Sequence, residues 1–158
     1  MSSLPSAPDP SSLEDGEAVL VTGETTNIIG YRLRRAQLSV FQKFLSLFEG
    51  LKLRPVEYSV LVLIADNPGR KQTEIAEVLG IKRANFVPLV HGLEERGLVE
   101  RIPSDADKRA NALHLTKDGE AFLSHARTVH DDMENELIVR LGGAKARRQL
   151  LDLLERIT

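Results

Sequence analysis

The segment from Asp107 to Gly119 has the residue types and the spacing of a nucleic-acid-binding hairpin. Lys108 and Arg109 occupy an exposed charged loop directly before residues 113–115, which alternate apolar, polar and apolar as a half-buried strand does. A cationic loop at the tip of a hairpin fits a groove of nucleic acid. The alternative is a surface hairpin without a ligand, and charge alone favours neither.

Several other chemistries lack the residues that they need. The chain has no cysteine, which excludes disulfides, thiolate metal sites and a cysteine nucleophile. His125 and His130 are five residues apart and point in different directions on a helix, and the other two histidines are distant, so we expect no metal site. No phosphate-binding loop, nucleophilic serine elbow or His-Glu-x-x-His motif is present, so we expect neither an enzyme nor a cofactor.

Charge is distributed unevenly along the chain. The formal net charge is -2, but residues 1–26 contain five acidic residues and no lysine or arginine, which leaves 21 basic against 18 acidic residues in the remainder. Residues 1–26 are rich in Ser, Pro and Gly and lack periodicity, so we expect a disordered acidic tail. No signal peptide or membrane-length apolar run is recognisable, and the cytoplasm is the expected location.

Apolar periodicity predicts a mainly helical chain. The first helix, from Ile28 to Leu51, is apolar on two faces, so we expect one face to pack on its own subunit and the other on a partner. The first face contains Ile29, Leu33, Ala36, Val40, Phe44, Leu47 and Leu51, and the second contains Tyr31, Leu38 and Leu45. Pro55 opens the next helix, and residues 67–69 end it.

Two helices joined by a short turn follow, as in a helix-turn-helix. The first begins at Gln72, has Ile75, Val78 and Leu79 on its inner face, and ends at Gly80. The second runs from about Lys82 to Gly97, with Phe86, Leu89, Val90 and Leu93 inside and a Schellman-type end.

The hairpin and two further helices complete the predicted element order. Residues 98–102 form its first arm, and Pro103 to Asp107 form a long turn. Thr116 caps a long helix that ends at Gly142 and Gly143, and a last helix carries Leu150, Leu151, Leu154 and Ile157 on one side. This order, with a small β-hairpin wing after the helix pair, is that of a winged helix-turn-helix.

These residues resemble the multiple antibiotic resistance regulator (MarR) family of winged helix-turn-helix transcription factors. The resemblance rests on Asp107-x-Arg109 followed by Leu113-x-Leu115-Thr116-x-x-Gly119, with residues 93–99 before it, and it covers about residues 28–158. It implies a homodimer that binds an inverted DNA repeat. Residues 27–53 and 117–158 would then form the dimerisation region, and residues 54–116 the DNA-binding lobe.

The resemblance also implies roles for individual residues. Lys82, Arg83 and Asn85 would lie at the start of the recognition helix, where side chains reach bases or phosphates in the major groove. Lys71 and Gln72 would contact phosphates, Lys108 or Arg109 would enter the minor groove, and Asp107 would hold Arg109. For each contact the alternative is a solvated side chain.

Pro88 departs from the family pattern inside the predicted recognition helix. It removes the hydrogen bond to the Ala84 carbonyl and predicts a kink there. The kink could change the angle at which the helix meets DNA, or it could be tolerated without a role in recognition.

Many members of the family bind small aromatic or acyl compounds, which implies an effector site. The candidate lining residues are Tyr31, Arg34, Arg35, Phe41, Phe44, Phe48 and Tyr58. Arginine beside aromatic rings suits an aromatic acid or the phosphates of its acyl-CoA thioester, although phenylalanines at helical spacing also suit a core. The expected function is a homodimeric repressor released by such an effector. The alternatives are an efflux regulator with a promiscuous apolar pocket, a metal-responsive regulator and a winged-helix protein-interaction module.

Overall fold

The computed structural model describes residues 23–104 and 107–158, and for residues 104 and 107–111 it describes the backbone alone. Helices and strands follow in the order α1 (Ile29–Phe48), α2 (Pro55–Asp66), β1 (Arg70–Lys71), α3 (Gln72–Val78), α4 (Arg83–Glu95), β2 (Val99–Ser104), β3 (Asp107–Leu115), α5 (Lys117–Leu141) and α6 (Ala144–Glu155). Single 3-10 turns precede and follow α1, at Thr25–Asn27 and Glu49–Leu51. The mainly helical chain with a small β-wing confirms the predicted fold class.

The chain divides into two compact units, residues 1–36 and 37–158. Most of the predicted acidic tail, residues 1–26, lies outside the described residues. No described helix combines the length and the apolar character that crossing a membrane requires.

Three antiparallel strands form one sheet in the order β1-β3-β2. β1 pairs Arg70 with Leu113 and Lys71 with Ala112. No sequence pattern predicts β1, because two residues are too few to show a periodicity. β2 pairs with the other edge of β3, beginning with Val99 opposite Leu115.

The tip of the wing differs from the expected long loop between Pro103 and Asp107. Backbone pairing continues to Ser104 opposite Asp107, so Lys108 and Arg109 belong to β3 and not to a loop. Pro103 pairs with Asn111, so β3 holds three more residues than β2 between these two pairs. Such an irregularity bends and twists a strand. This segment has no apolar alternation, which is why its strand was not predicted.

The core lies between α2, α4, α5 and the base of the hairpin. The predicted inward side of α4 is confirmed, with Phe86, Leu89, Val90 and Leu93 all buried. Val78 was predicted to face inward, but it is 72% exposed, because α3 buries Ile75 and Ala76 instead and turns Val78 outward.

The junction between α4, the wing and α5 confirms the predicted helix ends. The Gly97 amide donates to the Glu94 carbonyl at 2.8 Å, and the Leu98 amide donates to the Leu93 carbonyl at 3.0 Å, which is the Schellman pattern. The Thr116 hydroxyl accepts from the Gly119 amide at 2.9 Å and thus caps α5. A Cβ atom on Gly119 would lie 2.0 Å from the Leu98 carbonyl oxygen, so this close approach requires glycine.

The two terminal helices keep many apolar side chains exposed. α1 buries only Phe44 and Phe48, whereas Ile29 is 74% exposed and Leu47 is also exposed. The expectation that a whole face of α1 packs on its own subunit is therefore wrong, because the buried face follows the spacing of Phe44 and Phe48 at the end of the helix. α6 buries no residue, although it carries the predicted apolar row.

Candidate nucleic-acid interface and effector site

The turn between α3 and α4 fixes where α4 begins. Gly80 has a φ of +63°, its amide donates to the Glu77 carbonyl at 2.9 Å, and the Ile81 amide donates to the Ala76 carbonyl at 2.9 Å. This Schellman-type end reverses the chain within a few residues. Lys82 then caps α4 in an extended conformation, so α4 starts with a positively charged segment.

The start of α4 presents side chains without partners. Lys82, Arg83 and Asn85 are exposed and have no side-chain hydrogen bond or ion pair to any other described residue. The first amides of a helix point outward and carry partial positive charge, which adds to that of the two cations. This surface can donate hydrogen bonds to phosphates and base edges.

Lys71 and Gln72 lie together at the start of α3, as predicted, but their environments differ. Lys71 is exposed, and its backbone amide donates to the Glu74 carboxylate at 2.7 Å. Gln72 is half-buried, and its side-chain oxygen accepts a hydrogen bond from Arg101 at 3.2 Å. The amide nitrogen of Gln72 is therefore the group left to donate to a phosphate.

Arg101 is a residue of this region for which the sequence predicts no role. Besides Gln72, it contacts Glu94 of α4, with Nη1 and Oε2 2.7 Å apart, so it joins β2 to both helices of the helix-turn-helix. Alternation along β2 places Arg101 on the same face as the buried Val99. A charged residue on an inward face requires a partner. The position of Arg101 on the inward face of a predicted strand is therefore the sequence signal for these contacts.

The wing residues can be placed only through their backbone. Asp107, Lys108 and Arg109 are the first residues of β3. The predicted ion pair between Asp107 and Arg109 concerns side chains outside the described part of the structure, so it stays a prediction.

Four rings form a cluster at the meeting point of α1, α2 and α5. Phe44 and Phe48 stack with centroids 3.8 Å apart, and Tyr58 contacts both rings edge-on. His130 stacks on Tyr58 at 4.7 Å. Phe44 and Phe48 are buried in the core, so Tyr58 and His130 form the accessible side of this cluster.

The surroundings of Tyr58 raise the pKa of its hydroxyl. Burial raises its pKa, the negative charge of Asp131 raises it further, and Arg127 opposes both effects. The hydroxyl therefore stays protonated and able to donate a hydrogen bond. In the sequence, His130 is a candidate only for a metal site. Its contact with Tyr58 joins α2 to α5, and no local sequence pattern shows such a contact.

The remaining predicted effector residues lie on α1. Tyr31 is half-buried and Arg34, Arg35 and Phe41 are exposed. Neither arginine pairs with another described residue. Within the described part of the chain, no three His, Asp or Glu side chains are grouped closely enough to hold a metal ion.

Comparison with known proteins identifies the family. A family model described as the MarR family matches residues 50–110. The "putative transcriptional regulatory protein for hcr operon" of Thauera aromatica is 34% identical over 143 residues, which cover 89% of this chain and 84% of that protein.

Two solved structures of the transcriptional repressor CouR are also similar. CouR bound to a 23-mer DNA duplex is 43% identical, with a TM-score of 0.82 over 87% of this chain and 97% of CouR. CouR bound to p-coumaroyl-CoA is 42% identical, with a TM-score of 0.74 over 87% of this chain and 96% of CouR. Together with the winged helix-turn-helix described above, these similarities show that the chain belongs to the MarR family of transcriptional regulators.

Proposed function

We propose that this regulator is a homodimeric repressor that binds an inverted-repeat operator and leaves it when an aromatic acyl-CoA thioester, or the related aromatic acid, binds. The observation that carries the DNA-binding part is the unpaired cationic start of α4, formed by Lys82, Arg83 and Asn85. The similarity to CouR, which has been solved with DNA and with p-coumaroyl-CoA, supports both parts.

In the proposed complex, residues 54–116 form the DNA-binding lobe and α4 enters the major groove. Arg83 is suited to a bidentate contact with guanine, and Asn85 to one with adenine. Lys71, Lys82 and the Gln72 amide donate to phosphates and fix the register of the lobe. Lys108 and Arg109 follow the wing into the minor groove, and Asp107 orients Arg109.

Dimerisation is assigned to residues 27–53 and 117–158. The exposed apolar residues of α6 support this assignment, because a large apolar surface on a single chain favours association. A symmetric dimer presents two equal lobes, and it matches a palindromic site whose half-sites are about 34 Å apart or a multiple of that distance.

The effector proposal rests on residue chemistry at two places. Arg34 and Arg35 are exposed and unpaired among the described residues, and guanidinium groups bind phosphates or a carboxylate with paired hydrogen bonds. Tyr31, Phe41 and Tyr58 offer aromatic surface and hydroxyl groups to the acyl part. Phe44 and Phe48 support Tyr58 from the core and contact the effector less directly.

Release requires that the effector bind two conformations with different affinities. The DNA-binding conformation holds the two α4 helices at the spacing of the half-sites, and the effector stabilises a conformation with a different spacing. Only the difference in affinity shifts the equilibrium, and a change from 1% to 99% released requires a ratio of about ten thousand.

The proposal is tested by DNA-binding titrations with the full chain and its own promoter region. We expect a preference over random DNA that falls steeply with salt, and release on addition of p-coumaroyl-CoA. Arg35→Gln should keep DNA affinity but require more than tenfold more thioester, whereas the matched variant Arg35→Lys, which keeps the charge, should lose less. Equal binding to random DNA would contradict repression. Release unaffected by Arg35→Gln and by the corresponding Arg34→Gln would contradict the effector assignment.

A further inference from the structure

The exposed face of α4 has an apolar centre. Residues 86, 89, 90 and 93 of this helix are buried. Ala84, Pro88 and His91 follow the i, i+4, i+7 spacing on the opposite side, and all three are exposed. Pro88 therefore lies in the middle of the surface that α4 turns away from its own subunit.

Packing within the subunit does not explain this proline. A proline in the interior of a helix costs about 3 kcal/mol, because it removes one backbone hydrogen bond and crowds the preceding turn. α4 nevertheless runs without interruption from Arg83 to Glu95 with Pro88 inside it. Because the Pro88 side chain is exposed, it recovers little of this cost through burial in the core. The kink at Ala84 stays a prediction, and the exposed ring of Pro88 faces away from the core.

The surroundings of Pro88 indicate what it contacts. Ala84 precedes it by one turn and Val87 beside it is 39% exposed, so the three residues form a small apolar surface. Arg83 and Asn85 lie next to this surface at the start of α4. In the major groove the 5-methyl group of thymine is the apolar group that distinguishes bases, and small apolar side chains contact it.

We propose that Pro88 is a specificity-determining residue whose ring, with Ala84, packs against the 5-methyl group of a thymine in each half-site. This inference rests on the proposed DNA binding by α4 and adds a base preference to it. Hydrogen bonds from Arg83 and Asn85 select guanine or adenine, and the apolar surface selects a thymine beside them.

The test uses DNA that the wild-type dimer selects from a random-sequence pool. Each thymine of a half-site is replaced in turn by uracil, which removes the methyl group and keeps every hydrogen-bonding group. At one position wild-type affinity should fall about fourfold per half-site, the size expected for burial of one methyl group. Pro88→Ala should bring the thymine-to-uracil affinity ratio at that position close to one. Alanine fits a helix, so this variant should fold.

Val78→Ala is the matched control, because it also shortens an exposed apolar side chain of the helix-turn-helix. This variant should keep the wild-type ratio at every thymine. The inference is overturned if no uracil substitution weakens wild-type binding, or if Pro88→Ala keeps the wild-type ratio. If the wild type selects no sequence, sequence-specific DNA binding fails and the inference fails with it. If the wild type selects a site but no replacement of thymine by uracil weakens binding, only the proposed role of Pro88 fails.

Discussion

α4 in the winged lobe and α6 at the end of the chain have similar lengths and similar shares of apolar residues, yet they bury them differently. α4 buries Phe86, Leu89, Val90 and Leu93 against its own subunit. α6 buries none of its residues, and Leu151 is 46% exposed. The lobe is therefore complete within one chain, whereas α6 lacks the surface that would cover it. In the proposed dimer, the surface that contacts DNA lies on a helix whose core face is already buried within one chain, whereas the spacing of the two lobes depends on association.

The largest expected effect comes from placing a charge in the apolar row of α6. Leu151→Glu should weaken dimerisation more than a thousandfold, because a symmetric interface loses two leucine side chains and gains two buried carboxylates. Sedimentation equilibrium measures the dissociation constant, and circular dichroism checks that the lobe stays folded.

Val78→Glu is the matched control in the lobe, since Val78 is exposed to an even greater extent. It should leave the dimer intact. Equal dimerisation of both variants would show that α6 is not covered by a partner, and the comparison between the two helices would fail.

Truncation of a core residue in the lobe should act on folding instead of association. Phe86 is fully buried, and Phe86→Ala should lower the free energy of unfolding by about 3–5 kcal/mol through lost burial and the cavity that it leaves. Urea unfolding measures this change. Val87→Ala, at the next residue but exposed, should cost about 0.5 kcal/mol or less, and a similar loss for both would contradict the assigned buried face of α4.

A smaller effect is expected where the wing joins α5. Gly119→Ala forces the new Cβ atom against the Leu98 carbonyl, so the chain must shift at a cost of about 1–3 kcal/mol. Thermal unfolding shows the loss. Gly30→Ala is the control, because a Cβ atom there meets no atom within 4 Å. An unchanged melting temperature for Gly119→Ala would mean that the junction is looser than described.

The smallest effect concerns acid stability at the start of α2. Burial raises the pKa of Glu57, but hydrogen bonds from the Arg54 side chain and amide, at 2.7 and 2.8 Å, outweigh it and leave the pKa below the ordinary value of 4.5. A lowered carboxyl pKa stabilises the fold above the ordinary value, and this contribution disappears as the pH falls through the lowered pKa.

Glu57→Gln should therefore cost about 1 kcal/mol at neutral pH and progressively less at acid pH. Urea titrations at several pH values from 7 to 3 give the comparison with the wild type. Curves that stay parallel across this range would contradict the role of the Arg54–Glu57 pair.

Local signals in the sequence predicted much of the fold, and non-local contacts account for what was missed. Gly97 and Thr116 mark helix ends through interactions a few residues away, so the sequence alone placed them. β1 needs β3 as a partner more than 40 residues later, and the extra residues of β3 depend on pairing with β2. Neither feature leaves a periodic pattern.

In the candidate site, too, local signals are visible in the sequence and non-local contacts are not. Lys82, Arg83 and Asn85 could be placed because a glycine turn fixes the start of α4. The contacts of Arg101 with Gln72 and Glu94 join three separate segments, and the stacking of His130 on Tyr58 joins α2 to α5. Such contacts follow from the tertiary fold, so only the structure reveals them.

We expect a dimer of this chain to bind an inverted repeat, and an aromatic acyl-CoA thioester or the related aromatic acid to release it. Fluorescence anisotropy can follow both events with a labelled duplex from its own promoter, titrated with the thioester in parallel with free coenzyme A and with the free acid. Binding should saturate at one dimer per site, and the thioester or the acid should release the DNA at concentrations at which coenzyme A has no effect. Binding that the thioester and the free acid both leave unchanged would contradict this expectation.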